Sequence, residues 1–175
     1  MIKQLKNPMS ELYVGFKEFV SSPEFPWFYQ PNSNYEEVDD KSNYGSIPYY
    51  VHTFLQKPEI NEKYPTSNSN YIDPVSSLLK EIIEFNDVEF NSFLRIGVNC
   101  VHPQVNKNVQ CTVPHYDHTF PHKNLLVYLT DAGGKTVVED DNFDPKEDDV
   151  IVFEGLHYYH IPLEKRRIVL VSTFI

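Results

Sequence analysis

His115 and Asp117 stand one residue apart in Pro114-His115-Tyr116-Asp117-His118. In an extended segment, side chains two positions apart leave the backbone on the same side. An imidazole and a carboxylate are thereby aimed at one point. With one more histidine they would make the two-His-one-carboxylate set that holds one face of a metal and leaves other positions open, as in non-haem Fe(II) centres. Only one other segment is rich enough to supply that histidine: Phe153-Glu154-Gly155-Leu156-His157-Tyr158-Tyr159-His160. Taken alone, an H-x-D pair reads more simply as a hydrogen-bonded surface pair, and its weight comes from what surrounds it.

The elements that must position these residues are short and β-rich. Phe93–Val101, Val109–Val113, Asn124–Thr130, Lys135–Glu139, Asp149–Phe153 and Arg166–Ile175 read as strands, with turns at Asn106-Lys107-Asn108, Gly133-Gly134 and Asp144-Pro145. Upstream, Leu12, Phe16, Phe19 and Val20 recur at helical spacing and predict an amphipathic helix over Ser10–Phe19. A second helix is predicted from Leu78, Leu79, Ile82, Ile83 and Phe85, capped by Ser76 or Ser77. Ile47–Leu55 reads as a strand with His52 and Phe54 on one face; Gln30–Gly45 and Gln56–Asn70 read as loops. The aromatic run Phe25-Pro26-Trp27-Phe28-Tyr29 is expected to plug one end of the core. Helices followed by a run of short strands predict a mainly β fold, a double-sheet jelly roll (double-stranded β-helix) with N-terminal helices on one outer face. A single domain of 175 residues is expected, helical and loop-rich over 1–93 and a jelly-roll metal-binding core over 94–175.

Composition narrows the function classes. The formal net charge of −10 argues against a broad nucleic-acid surface. No run of eighteen or more apolar residues is present, so no membrane span is expected. Met1-Ile2-Lys3-Gln4-Leu5-Lys6 lacks the apolar core of a signal peptide. Cys100 and Cys111 read as two free buried thiols. A soluble cytoplasmic protein is expected, in the host cytoplasm if its origin is viral.

Four features follow the H-x-D pair in order: the buried strand Leu125-Leu126-Val127-Tyr128-Leu129; the turn Gly133-Gly134-Lys135-Thr136; the strand Asp149-Val150-Ile151-Val152-Phe153 leading to the histidine-rich segment; and Pro162 before Arg166-Arg167 at the start of the last strand. In these features, from Arg95 to the end, the chain resembles the Fe(II)/2-oxoglutarate-dependent dioxygenases. The likeness is to their compact prolyl-4-hydroxylase-like branch, which includes many phage-encoded proteins. The resemblance implies His115 and Asp117 as proximal ligands, a distal histidine, and Tyr128 plus a basic residue on the far carboxylate of 2-oxoglutarate. His157 precedes Arg166 by nine positions and suits the family spacing; His160 leaves the more usual gap after Phe153. The spacing favours His157, with His160 as the alternative. Adjacent strand residues face opposite sides, and counting back from Phe174 points Arg166 inward rather than Arg167. The implied activity is hydroxylation of a small-molecule or peptide substrate using Fe(II), 2-oxoglutarate and O2, with release of succinate and CO2. The alternatives are a cupin-like metalloenzyme using the same triad without a keto acid, and a non-enzymatic jelly-roll binding or virion protein.

Other residues have plainer readings. His118 and His122 are expected at the rim, His52 and His102 in structural roles, and Tyr158 and Tyr159 in packing. Arg95 begins a core strand and is expected to serve the pocket or to pair with one of the many acids.

Overall fold

Nearly every residue of Leu125–Leu129 and Ile168–Val171 is apolar, the pattern of strands covered on both faces. The computed structural model of the chain describes residues 1–33, 44–58, 64–104 and 109–175, and bears this out. The larger sheet contains β1 (Lys3–Leu5), β2 (Phe28–Gln30), β3 (Tyr49–Gln56), β4 (Thr66–Ser67), β5 (Phe93–Val101), β6 (Lys123–Tyr128), β9 (Val150–Phe153) and β11 (Arg167–Phe174). Its order is β1-β9-β6-β11-β5-β3-β2, with β4 beside β3. A smaller sheet pairs β7 (Thr136–Val138) with β8 (Asp141–Phe143) on one side and β10 (His157–Tyr159) on the other. The two sheets make a jelly roll, as the strand run predicted.

One face of the larger sheet is covered by helices. α1 (Glu11–Ser21) is capped by Ser10, whose Oγ accepts from the Tyr13 N–H at 3.2 Å. α2 (Ile72–Phe85) buries Val75, Leu78, Leu79, Ile82 and Ile83, each worth about 1.5–3 kcal/mol of transfer energy. They pack with Ile96, Val98, Leu125, Val127, Ile168, Leu170 and Phe174. The cap expected at Ser76 or Ser77 is corrected: the N-cap of α2 is Tyr71, five residues before Ser76, and Ser76 Oγ donates to Asp73 O at 3.0 Å. Pro74 in the first turn costs no helical hydrogen bond, and Asp73 there suits the helix dipole.

The other face looks into the barrel. Phe153, Asn124, Thr173 and Arg95 stand side by side across β9, β6, β11 and β5. Tyr128, Val169 and Asn99 form a parallel row four residues along the strands. Leu126, Tyr128, Val138, Ile151, Phe153 and Val169 make the apolar lining. Two segments differ from expectation. Val109–Val113 is not a continuous strand; Cys111 and His115 make single bridges instead. In the aromatic run Phe25 is buried, but Phe28 and Tyr29 are exposed on the edge strand β2. The short strands β1, β2, β4, β8 and β10 carry too few residues for periodicity to signal them. The turn expected at Asn106-Lys107-Asn108 lies outside the described residues.

Candidate metal centre

The segment from Gln110 to His115 runs antiparallel to His157–Ile161. His115 N–H donates to His157 O at 3.0 Å, and His157 N–H donates to His115 O at 3.1 Å. Directly opposed residues in such a pair send their side chains to the same side, and the two imidazole centroids lie 4.6 Å apart. After His115 the chain bends rather than continuing extended. Asp117 still converges on the histidines, so that ligand atoms of His115, Asp117 and His157 all lie within 4.8 Å of one another.

The hydrogen bonds fix which ring nitrogen is free. His115 Nδ1 lies 2.9 Å from Val113 O, and His157 Nδ1 lies 3.2 Å from Gly155 O. A carbonyl only accepts, so each Nδ1 carries the proton and each Nε2 presents a lone pair. Asp117 Oδ2 sits 3.4 Å from His157 Nε2. Two acceptors facing each other at that distance require a cation between them or a proton on the ring. Burial pushes His157 down to about 4, against the pull of Asp117, which disfavours the proton. Burial alone would raise Asp117, but the positive charge facing it, that of Arg95 above all, outweighs burial and holds the carboxyl at about 2. Two neutral imidazoles and one carboxylate are the donor set of an open-faced non-haem metal site.

Asp117 is 8% exposed. Its Oδ1 accepts from Arg95 Nη1 at 2.9 Å, and its main-chain oxygen accepts from Lys57 Nζ at 3.4 Å. The next residue, His118, reaches Thr173 Oγ1 through Nε2 at 2.8 Å. Arg95 and Thr173 are register partners on β5 and β11, so the H-x-D segment is tied down to one row of the barrel floor. A cavity of about 670 Å³ opens beside the triad, lined by residues 114–122 and 154–156. Tyr116 and Phe120 stand exposed at its lip. His118 and His122 belong to this cavity, as expected of rim residues, although His122 is buried.

Deeper along the barrel lies a second charged group. Arg167, 4% exposed, donates through Nε to Gly134 O at 3.3 Å and through Nη2 to Thr136 Oγ1 at 3.1 Å. Its guanidinium lies 4.4 Å from the Tyr159 ring centroid and 5.3 Å from that of Tyr128. Tyr128 OH in turn meets Thr136 Oγ1 at 2.7 Å. No carboxylate among the described residues pairs with Arg167. A buried cation without an acid partner is costly, and stacking on two aromatic rings offsets part of that cost. A bound anion would complete the site.

This corrects the expected inward residue. Arg166 is exposed, and Arg167 points into the barrel. Phe174 is buried against the helices, not in the barrel, so counting back from it chose the wrong face. Among the histidines, His157 joins the cluster; His160 Nδ1 lies 3.6 Å from Cys111 Sγ instead. His52 bridges Pro26 O and Ser69 Oγ at 2.8 Å each, in the structural role expected. Cys100 and Cys111 are free and buried.

Sequence reasoning missed the support of Arg167 by Gly134, Thr136 and Tyr159. The Gly-Gly-x-Thr turn was its only trace. Gly134 has φ +78°, and a Cβ there would sit 2.8 Å from Arg167 Cδ. The turn therefore makes room for the arginine as well as reversing the chain.

No protein-family model matches the chain, and no curated protein matches its sequence. Solved structures do match its fold. A 2OG-Fe(II) oxygenase family oxidoreductase from Burkholderia pseudomallei superposes with a TM-score of 0.69 at 14% identity, covering 93% of this chain and 78% of that one. The viral collagen prolyl hydroxylase of Paramecium Bursaria Chlorella virus-1, solved with 2OG, gives 0.56 at 16% identity, covering 98% of this chain and 94% of that one. A Trichoplax adhaerens prolyl hydroxylase, solved with a hypoxia inducible factor peptide fragment, gives 0.53 at 13% identity, covering 99% and 83%. The chain has the fold of these oxygenases.

Proposed function

We propose that the protein is an Fe(II)- and 2-oxoglutarate-dependent oxygenase that hydroxylates a small-molecule or peptide substrate. The observation that carries this reading is the convergence of His115, Asp117 and His157 in a barrel that also holds Arg167, a buried cation with no acid partner among the described residues. Fe(II) with 2-oxoglutarate and O2 would supply the oxidising power for a C–H bond, with release of succinate and CO2.

The chain's own residues have separable tasks. The Nε2 lone pairs of His115 and His157 and the ionised Asp117 hold one face of the metal. Arg167 takes the far carboxylate of the keto acid, because a guanidinium stays charged and binds a carboxylate through two hydrogen bonds. Tyr128, its hydroxyl already aligned by Thr136, donates a further one. Leu126, Ile151, Phe153 and Val169 keep water from the space between. The exposed rings of Tyr116 and Phe120 at the cavity lip offer apolar surface to the substrate. The likeness to prolyl hydroxylases, one of them solved with a peptide, supports a peptide among the candidate substrates.

Anaerobic titration of the Fe(II)-loaded protein with 2-oxoglutarate, followed in air by a substrate screen that measures succinate, tests the reading. Saturable 2-oxoglutarate binding that depends on the metal is expected. Metal uptake without 2-oxoglutarate binding would turn the reading to a metalloenzyme that needs no keto acid, and no metal uptake at all would leave a binding protein.

A further inference from the structure

We propose that Arg95 is a positioning residue that holds Asp117 to metal coordination through one oxygen, and so keeps a coordination position open. The inference rests on the metal-site reading above and adds to it a residue outside the ligand set. A carboxylate has two oxygens and can grip a metal with both. A facial triad leaves about three of six positions free, and a chelating keto acid and dioxygen need all of them. A two-oxygen grip by Asp117 would take one away.

The geometry prevents that. Arg95 Nη1 occupies Oδ1 at 2.9 Å, while Oδ2 is the oxygen turned toward His157 Nε2 at 3.4 Å. The two oxygens are thus assigned to different partners. Lys57 does not compete for the carboxylate, because its Nζ reaches only the main-chain oxygen of Asp117. Arg95 is itself held on β5, flanked by β11 and β3, in the row that includes Thr173. The neighbour of Asp117, His118, is tied to that same Thr173. The arginine and the segment it steadies are therefore referenced to one strand pair, which limits how far the carboxylate can rotate.

A plain ion pair that only neutralises a buried acid would leave the coordination mode free, and this difference is measurable without turnover. Crystal structures of the Mn(II)-loaded protein give the mode directly, and water-proton relaxation counts the waters on Mn(II) in solution. The wild type is expected to show Asp117 bound through Oδ2 alone, Oδ1 still on Arg95, and about three waters on the metal. Arg95→Lys keeps a donor at nearly the same reach and is expected to match it. Arg95→Met removes the donor and is expected to let Asp117 bind through both oxygens, with one water fewer. Asp117 gripping with both oxygens in the wild type, or Arg95→Met retaining the wild-type water count, overturns the inference. If Arg95→Met does not fold, the wild-type structure and the Arg95→Lys water count decide it, a loss of one water in Arg95→Lys counting against. A wild type that takes up no divalent metal would instead bring down the metal-site reading itself.

Discussion

His115 and His157 are bound to each other through both main-chain groups, N–H to O at 3.0 Å and 3.1 Å. Two residues 42 positions apart in the chain are thereby placed ring beside ring, and each ring is then oriented by its own Nδ1–H on a nearby carbonyl. This pair of backbone hydrogen bonds selects His157 rather than His160 as the third member of the cluster.

Replacing the two histidines separates their roles. His157→Ala is expected to weaken Fe(II) binding by more than about a hundredfold, beyond the 10–100-fold typical of residues that only support ligands. His160→Ala, whose ring meets Cys111 and Tyr158 rather than the triad, should leave affinity within about threefold. Anaerobic metal titration of both variants reads this directly, and the reverse order would assign the ligand to His160.

The two arginines should differ as sharply. Arg167→Ala would leave the far carboxylate of 2-oxoglutarate buried and unpaired, at about 3–5 kcal/mol. That corresponds to a loss of affinity of about a hundredfold or more. Metal affinity without the keto acid should hardly change. Arg166→Ala, at an exposed position, should bind 2-oxoglutarate as the wild type does. Equal losses in both variants would show that charge at the strand end, not the buried guanidinium, carries the binding.

The adjacent glycines provide an internal control. Gly133 (φ +64°) has open space where a Cβ would go, whereas at Gly134 (φ +78°) the Cβ would lie 2.8 Å from both Arg167 Cδ and His160 O. Gly133→Ala should cost only the left-handed backbone penalty, about 1–2 kcal/mol. Gly134→Ala should cost more, and should also weaken 2-oxoglutarate binding by moving Arg167. Urea denaturation together with 2-oxoglutarate titration distinguishes the two; a Gly134→Ala protein with normal affinity would dissociate the turn from the arginine.

Burial pushes the Cys100 thiol up to about 11 and raises Cys111. A raised value favours the protonated form in the folded state. Stability is therefore full below the ordinary thiol value near 8.5 and falls as pH climbs from there toward about 11. Because only the thiolate reacts, iodoacetamide should leave both cysteines unmodified at pH 8 in the folded protein and modify both in urea. Mass spectrometry measures the outcome, and rapid labelling of native protein would show that one thiol is accessible.

The sequence by itself settled the residue types and the order of the longer elements. The H-x-D pair, the histidine-rich segment, the Gly-Gly-x-Thr turn and the paired arginines were all visible in it. So were the jelly-roll architecture and the two helices, because apolar residues recurred at helical spacing upstream and in short β-rich runs downstream. What it left undetermined depended on which face of a strand looks where. β11 is covered by helices on one side and by the barrel lining on the other. A buried Phe174 therefore carries no information about facing, and only cross-strand register with Tyr128 on β6 placed Arg167 inside. The same holds for Arg95, whose acid partner could have been any of 25 carboxylates until the bend after His115 brought Asp117 over β5. Local pattern fixes what a strand is made of. Long-range hydrogen bonds between backbones decide which side chains meet, because a slip of one residue exchanges the two faces.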